Sequence, residues 1–139
     1  MMFIIDTNVV SELRKPAKAP ASLIAWAQSQ PPSAIYISAI SMWELEYGIL
    51  LKAHSDPAQG KVLSDWFEQT VIPAYAGRIL PICFEVSRVC APMHVPDKRP
   101  ERDALIAATA IVHNMTVVTR NEKDFAGMNC PLFNPWKAA

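Results

Sequence analysis

Phe3-Ile4-Ile5-Asp6-Thr7-Asn8 decides how the rest of the chain is read. Three apolar residues without polar alternation predict a strand buried on both faces, as in a parallel sheet. An acid at the end of such a strand is costly unless something cationic meets it. Thr7 and Asn8 are good caps for a helix through Val10 and Leu13, stopped by Pro16. Farther on, Ile35-Tyr36-Ile37-Ser38 predicts a second strand and Arg78-Ile79-Leu80-Pro81-Ile82 a third. Its proline places that third strand at a sheet edge or a strand end. Thr116-Val117-Val118-Thr119, rich in β-branched residues, predicts a fourth, and Leu132-Phe133 a short last one.

Helical patterns separate these strands. One begins near Pro20 and runs through Leu23, Ile24 and Trp26 to Pro31-Pro32. Another opens at Ser41 and carries Glu44, Leu45, Tyr47 and Leu51, with Trp43, Tyr47 and Leu50 on its apolar side. Asp56-Pro57 starts a third, in which Val62, Leu63, Trp66, Phe67 and Thr70 recur at helical spacing. Phe84–Met93 is disturbed near its end by Pro92, Pro96–Pro100 is a charged loop, and Arg102–Asn114 is the clearest helix of all. A short helix around Glu122–Phe125 precedes the last strand. Strands alternating with helices imply an α/β sandwich around a mostly parallel sheet. In such sheets, sites form beyond the carboxyl ends of the strands.

Composition narrows the function. The 139 residues form one domain's worth of chain, 51% hydrophobic and 19% charged, which disfavours disorder. No apolar run approaches the ~18 residues of a membrane span. Asp6 interrupts the N-terminus too early for a signal peptide, so the expected location is the cytoplasm. Cys83, Cys90 and Cys130 form no Cys-x-x-Cys pair and read as reduced packing residues. His54, His94 and His113 have no ligand spacing. The formal net charge is zero, which excludes a bulk electrostatic nucleic-acid binder. Local basic clusters remain at Arg14, Lys15 and Lys18, at Lys98, Arg99 and Arg102, and at Arg120 and Lys123. Each lies close in sequence to an acid, although an ordinary solvated face would look the same.

Four acids sit where elements begin or end: Asp6, Glu44, Asp103 and Asp124. Converging carboxylates hold protons or hold a metal, and oxygen-only ligands favour a hard cation such as Mg²⁺ or Mn²⁺. Metal-assisted phosphodiester chemistry is therefore the leading reading. Asp6 could merely cap the next helix, but Thr7 and Asn8 are available for that. Glu44 has a strong structural alternative, because Ser41-x-x-Glu44 matches a capping box. Asp103 could complement a helix dipole. Yet Ile106, Ala107 and Ala110 share its face, so its carboxylate projects from a core-facing stripe. Asp124 could be a surface acid, and Asn121 competes with it. Thr119 could bond a carboxylate or a water.

The blocks Asp6-Thr7-Asn8-Val9-Val10-Ser11-Glu12, Ser38-Ala39-Ile40 with Glu44-Leu45, Ala76-Gly77-Arg78-Ile79-Leu80-Pro81, Asp103 with Ile106-Ala107-Ala108-Thr109-Ala110, Val118-Thr119-Arg120-Asn121 with Asp124-Phe125, and Phe133-Asn134-Pro135-Trp136 run in order along the chain. Each is weak alone; together they resemble the PIN-domain ribonucleases, specifically VapC-type toxins of bacterial toxin–antitoxin pairs, in the FitB-like branch. The resemblance implies a single PIN domain over residues 1–139, a PIN-like three-layer sandwich with a central parallel sheet between helices. It implies Asp6, Glu44 and Asp103 as metal-site acids, with Asp124 or Asn121 as the fourth ligand, and Asn8 and Thr119 in support. The metal expected is Mg²⁺ or Mn²⁺. Arg14, Arg102 and Arg120 are candidates for RNA phosphates. Implied partners are an RNA substrate, a second copy in a homodimer and a small VapB-like antitoxin, with operator DNA reached only through the antitoxin. Two rivals stand beside this reading. A phosphotransfer domain with nucleophilic Asp6 would want a second acid where Asn8 stands. A catalytically weak PIN-fold binding module would act through its antitoxin and operator DNA.

Overall fold

A computed structural model describes residues 1–137. Five strands form one sheet in the order β3-β2-β1-β4-β5, every pair parallel. They are β1 (Phe3–Ile5), β2 (Ile35–Ser38), β3 (Ile79–Leu80), β4 (Thr116–Val118) and β5 (Leu132–Phe133). The proline-flanked β3 is an edge strand, as expected from its missing donor. The helices are α1 (Thr7–Leu13), α2 (Ala21–Ser29), α3 (Ala39–Ser55), α4 (Pro57–Trp66), α5 (Ile72–Ala74), α6 (Phe84–Cys90) and α7 (Glu101–His113). A π-helical turn at Phe67–Val71 joins α4 to α5. A 3₁₀ turn at Ala91–His94, where Pro92 removes a donor, ends α6.

The sheet's two faces explain why its strands lack polar alternation. Ile4 and Val117 point to one side, against Val86 and Cys90 of α6 and Ala104, Ile106, Ala107, Ala108 and Ala110 of α7. Phe3, Ile5, Ile37 and Val118 point to the other, against Val9 and Val10 of α1, Leu23 of α2, and Leu45 and Ile49 of α3. Burying a medium-sized apolar side chain stabilises by roughly 1.5–3 kcal/mol, so two such layers fix the strand register. Three layers result: helices, sheet, helices.

Two sequence expectations fail at helix starts. Asp6, not Thr7 or Asn8, caps α1: its Oδ1 accepts the Thr7 N–H at 2.8 Å. Helix α3 begins two residues before Ser41, with Ser38 as its cap accepting the Ile40 N–H at 3.1 Å. Ser41 therefore lies inside the helix, and the capping box with Glu44 does not form. The Ser41 hydroxyl is buried without a hydrogen-bond partner. The apolar side assigned to α3 is also wrong. Trp43, Tyr47 and Leu50 face solvent, while Leu45 and Ile49 fill the core.

Candidate active site

The carboxyl ends of β1 and β4 are neighbours because those strands pair in register, Ile5 opposite Val118. The residues that follow, Asp6 and Thr119, are consequently adjacent. The Thr119 hydroxyl donates to Asp6 Oδ2 at 2.8 Å, and the Asn8 side-chain amide donates to the same oxygen at 3.1 Å. Thr119 in turn accepts the Asn121 N–H at 3.0 Å. Asp6 is thus locked by both oxygens. It is buried, and burial pushes its carboxyl above the ordinary range; the bonds from Thr119 and Thr7 pull it back, and Glu44 and Asp124 push it up again.

Glu44 reaches this point from the second turn of α3. Its Oε1 accepts the Thr7 hydroxyl at 2.9 Å, and its Oε2 meets the Arg102 guanidinium at 3.3 Å. Asp103 comes from the first turn of α7, beside the fully buried Ala104, Ile106 and Ala107. Its carboxyl is raised to about 6, first by burial and then by repulsion from Asp6, Asp124 and Glu44, with Arg102 opposing weakly. Asp124 lies in an exposed 3₁₀ turn, Glu122–Phe125. Asp6, Asn8, Glu44, Asp103, Asn121 and Asp124 line one open cleft of about 400 Å³, together with Thr7, Ser11 and Glu12. A separate, less open concavity lined by Val9, Trp26, Tyr75 and Arg78 is apolar and holds none of the four acids. The acidic cleft is the candidate site, because carboxyl groups perturbed by burial and by one another gather there.

The structure brings all four sequence-flagged acids and Asn121 to one place. The three arginines stand around it rather than in it. Arg14 lines an adjoining hollow with Thr7 and Glu44, its guanidinium 6.0 Å from the Trp66 ring. Arg102 bonds Glu44. Arg120 is exposed, 5.9 Å from the Trp136 ring, and its N–H points to Asn8 Oδ1 at 3.5 Å. Sequence reasoning missed Thr7 as a partner of Glu44, since it was assigned as a cap. It also missed Glu12 on the rim, although Glu12 closes the first of the blocks that carry the resemblance and lies one helical turn beyond Asn8 on α1.

This donor set suits a hard cation. Five carboxylates line the cleft, Glu12 at its rim among them; at Asp103 the repulsion from Asp6, Asp124 and Glu44 is opposed by the Arg102 guanidinium, and such repulsion is what a cation relieves. Among the described residues, however, no three acid, histidine or cysteine side chains converge closely enough to cage an ion unaided.

Comparison with known proteins finds relatives that match nearly the whole chain. The family model described as "PIN domain" matches residues 3–129. The chain is 35% identical over 143 residues to VapC ribonuclease Y4jK of Sinorhizobium fredii, covering 99% of this chain and all of that one. It is 35% identical over 140 residues to toxin FitB of Neisseria gonorrhoeae, covering 97% of this chain and 99% of that one. The crystal structure of FitAcB from Neisseria gonorrhoeae superimposes with a TM-score of 0.87 at 34% identity, over 99% of this chain and 100% of that chain.

Proposed function

This chain belongs to the PIN-domain family, and from that premise and the cleft we propose that it is a ribonuclease, the toxin of a type II toxin–antitoxin pair. It is a metal-dependent endonuclease, as PIN ribonucleases generally are. We read it as one PIN domain acting in the cytoplasm. Among the described residues, no helix is long and apolar enough to cross a membrane. The single observation that carries the reading is the convergence of Asp6, Glu44, Asp103 and Asp124 on one cleft at the carboxyl ends of β1 and β4.

Each residue has a part in it. Asp6 and Asp103 would hold the ion, Mg²⁺ or Mn²⁺, with Glu44 beside them and Asp124 or Asn121 as the fourth position. When bound, the ion supplies positive charge for the phosphoryl oxygens and acidity for a nearby water. Thr119 and Asn8 fix the rotamer of Asp6, and Thr7 fixes that of Glu44. Glu44 orients the attacking water or takes its proton. Arg14, Arg102 and Arg120, spread around the rim, receive RNA phosphates.

The relatives supply the partner reading. One solved neighbour, 34% identical with a TM-score of 0.86, is FitAB bound to a DNA fragment. A small VapB-like antitoxin accordingly restrains this chain and carries the operator DNA contact, and the toxin pairs as a homodimer. The test is RNA cleavage by partner-free protein with Mg²⁺, Mn²⁺ or EDTA, beside Asp6→Asn and Asp103→Asn. Cleavage that needs metal and vanishes in both variants supports the assignment. Absence of cleavage by folded, metal-loaded protein overturns it in favour of a catalytically weak binding module.

A further inference from the structure

Beside the acidic cleft lies an aromatic pair that this account of cleavage does not use. Trp43 and Tyr47, one turn apart on α3, are stacked with ring centroids 5.2 Å apart and planes 5° from parallel. Both remain about half exposed, at 48% and 45%. Trp43 immediately precedes Glu44. The Arg102 guanidinium sits 4.5 Å from the Trp43 ring and 5.9 Å from the Tyr47 ring, and bonds Glu44 at 3.3 Å. One cation thus ties the aromatic pair to an acid of the cleft. Lys98, Arg99 and Arg102 line the next depression together with Glu101, which pairs with Lys98 at 2.8 Å, and that depression shares Glu44 and Asp103 with the cleft.

Flat, wet aromatic faces next to clustered cations are how single-stranded nucleic acid is gripped. Every base has a π-face to stack, and the cations follow the backbone. An apolar peptide laid over the pair would bury Arg102 against carbon and strip its water. A phosphate would instead give that guanidinium a charged acceptor. We propose that Trp43 and Tyr47 form a platform on which one base of an unpaired RNA strand stacks, with Arg102 holding an adjacent phosphate and so seating the strand against the acidic cleft. The inference rests on the ribonuclease reading and adds two substrate-positioning residues, Trp43 and Tyr47, to it. In a duplex both faces of each base are already stacked, so the platform has nothing to take.

The experiment compares kcat and KM of the wild type, Trp43→Ala, Tyr47→Ala and Trp43→Phe on an unpaired RNA, on its duplex, and on unpaired RNAs carrying one abasic nucleotide at successive positions. Both alanine variants should raise KM on the unpaired RNA roughly tenfold, with kcat little changed and thermal melting unaltered. Trp43→Phe should recover most of the loss. One abasic position should cost the wild type a similar factor and cost Trp43→Ala nothing further. An alanine variant with wild-type KM, or the same abasic penalty in wild type and Trp43→Ala, overturns the platform. So does a Trp43→Ala chain that loses capture of a protein partner while keeping its KM. A wild type that cuts no RNA removes the ribonuclease reading and the platform with it, whereas active wild type and indifferent variants remove the platform alone.

Discussion

The Thr119 hydroxyl donates to Asp6 Oδ2 at 2.8 Å across 113 positions of sequence, and this bond is buried. It exists because β1 and β4 pair in parallel register, so the residue after each strand meets the residue after the other. A hydrogen bond to a charged group contributes more than a neutral one, and its loss leaves a buried carboxylate short of a donor.

Thr119→Val keeps the shape and removes the donor. It should lower unfolding free energy by roughly 1–3 kcal/mol, because a buried carboxyl group loses a donor. Urea denaturation measures it, and an unchanged midpoint at pH 7 contradicts the role given to this bond.

Asp103 makes the metal-free chain pH-sensitive. Its carboxyl titrates near 6 in the fold, above the ordinary 3.8. A raised folded pKa means that the fold holds this proton more tightly than the unfolded chain does. Stability from this group is therefore full below about 4 and is lost as pH rises through 6. Asp103→Asn should then melt higher than wild type at pH 7 in EDTA and lose that advantage by pH 4. A variant that melts lower at pH 7 would show that Asp103 is not repelled by its neighbours.

Gly60 marks the close crossing of α3 and α4. Replacing glycine by alanine inside a helix ordinarily gains about 0.5–1 kcal/mol. Here a Cβ would lie 2.4 Å from both Cα and Cβ of Ala53, so backbone must move. Gly60→Ala should destabilise by roughly 1–3 kcal/mol. A raised urea midpoint would contradict the packing described.

If Arg14, Arg102 and Arg120 receive phosphates, replacing each by Gln should weaken RNA binding and flatten its salt dependence by about one counterion per lost contact. The slope of log affinity against log salt reads this directly, and an unchanged slope for all three would remove them from the RNA path.

Much of this was legible in the sequence, for identifiable reasons. An apolar run without alternation marked β1 because both sheet faces are covered, and β-branched residues marked β4. Asp103 was legible from its own helix, since Ile106, Ala107 and Ala110 fix the direction of its face. What failed is equally physical. A carboxylate has two oxygens, so Asp6 both caps α1 and enters the cleft, and choosing between those roles was a false choice. Ser41-x-x-Glu44 has the composition of a capping box, but strand β2 ends at Ser38, and the chain takes that earlier serine as its cap. Trp43, Tyr47 and Leu50 have the spacing of an apolar stripe. Spacing says that residues share a face, not whether that face meets the core or the solvent.

The central claim is that metal held by these acids drives RNA cleavage, and the most direct measurement is Mn²⁺ binding by electron paramagnetic resonance, read beside the cleavage rate of the same samples. Wild type should cleave in proportion to bound Mn²⁺, and Asp6→Asn and Asp103→Asn should lose binding and cleavage together. Cleavage that persists in Asp6→Asn without bound ion would contradict the account.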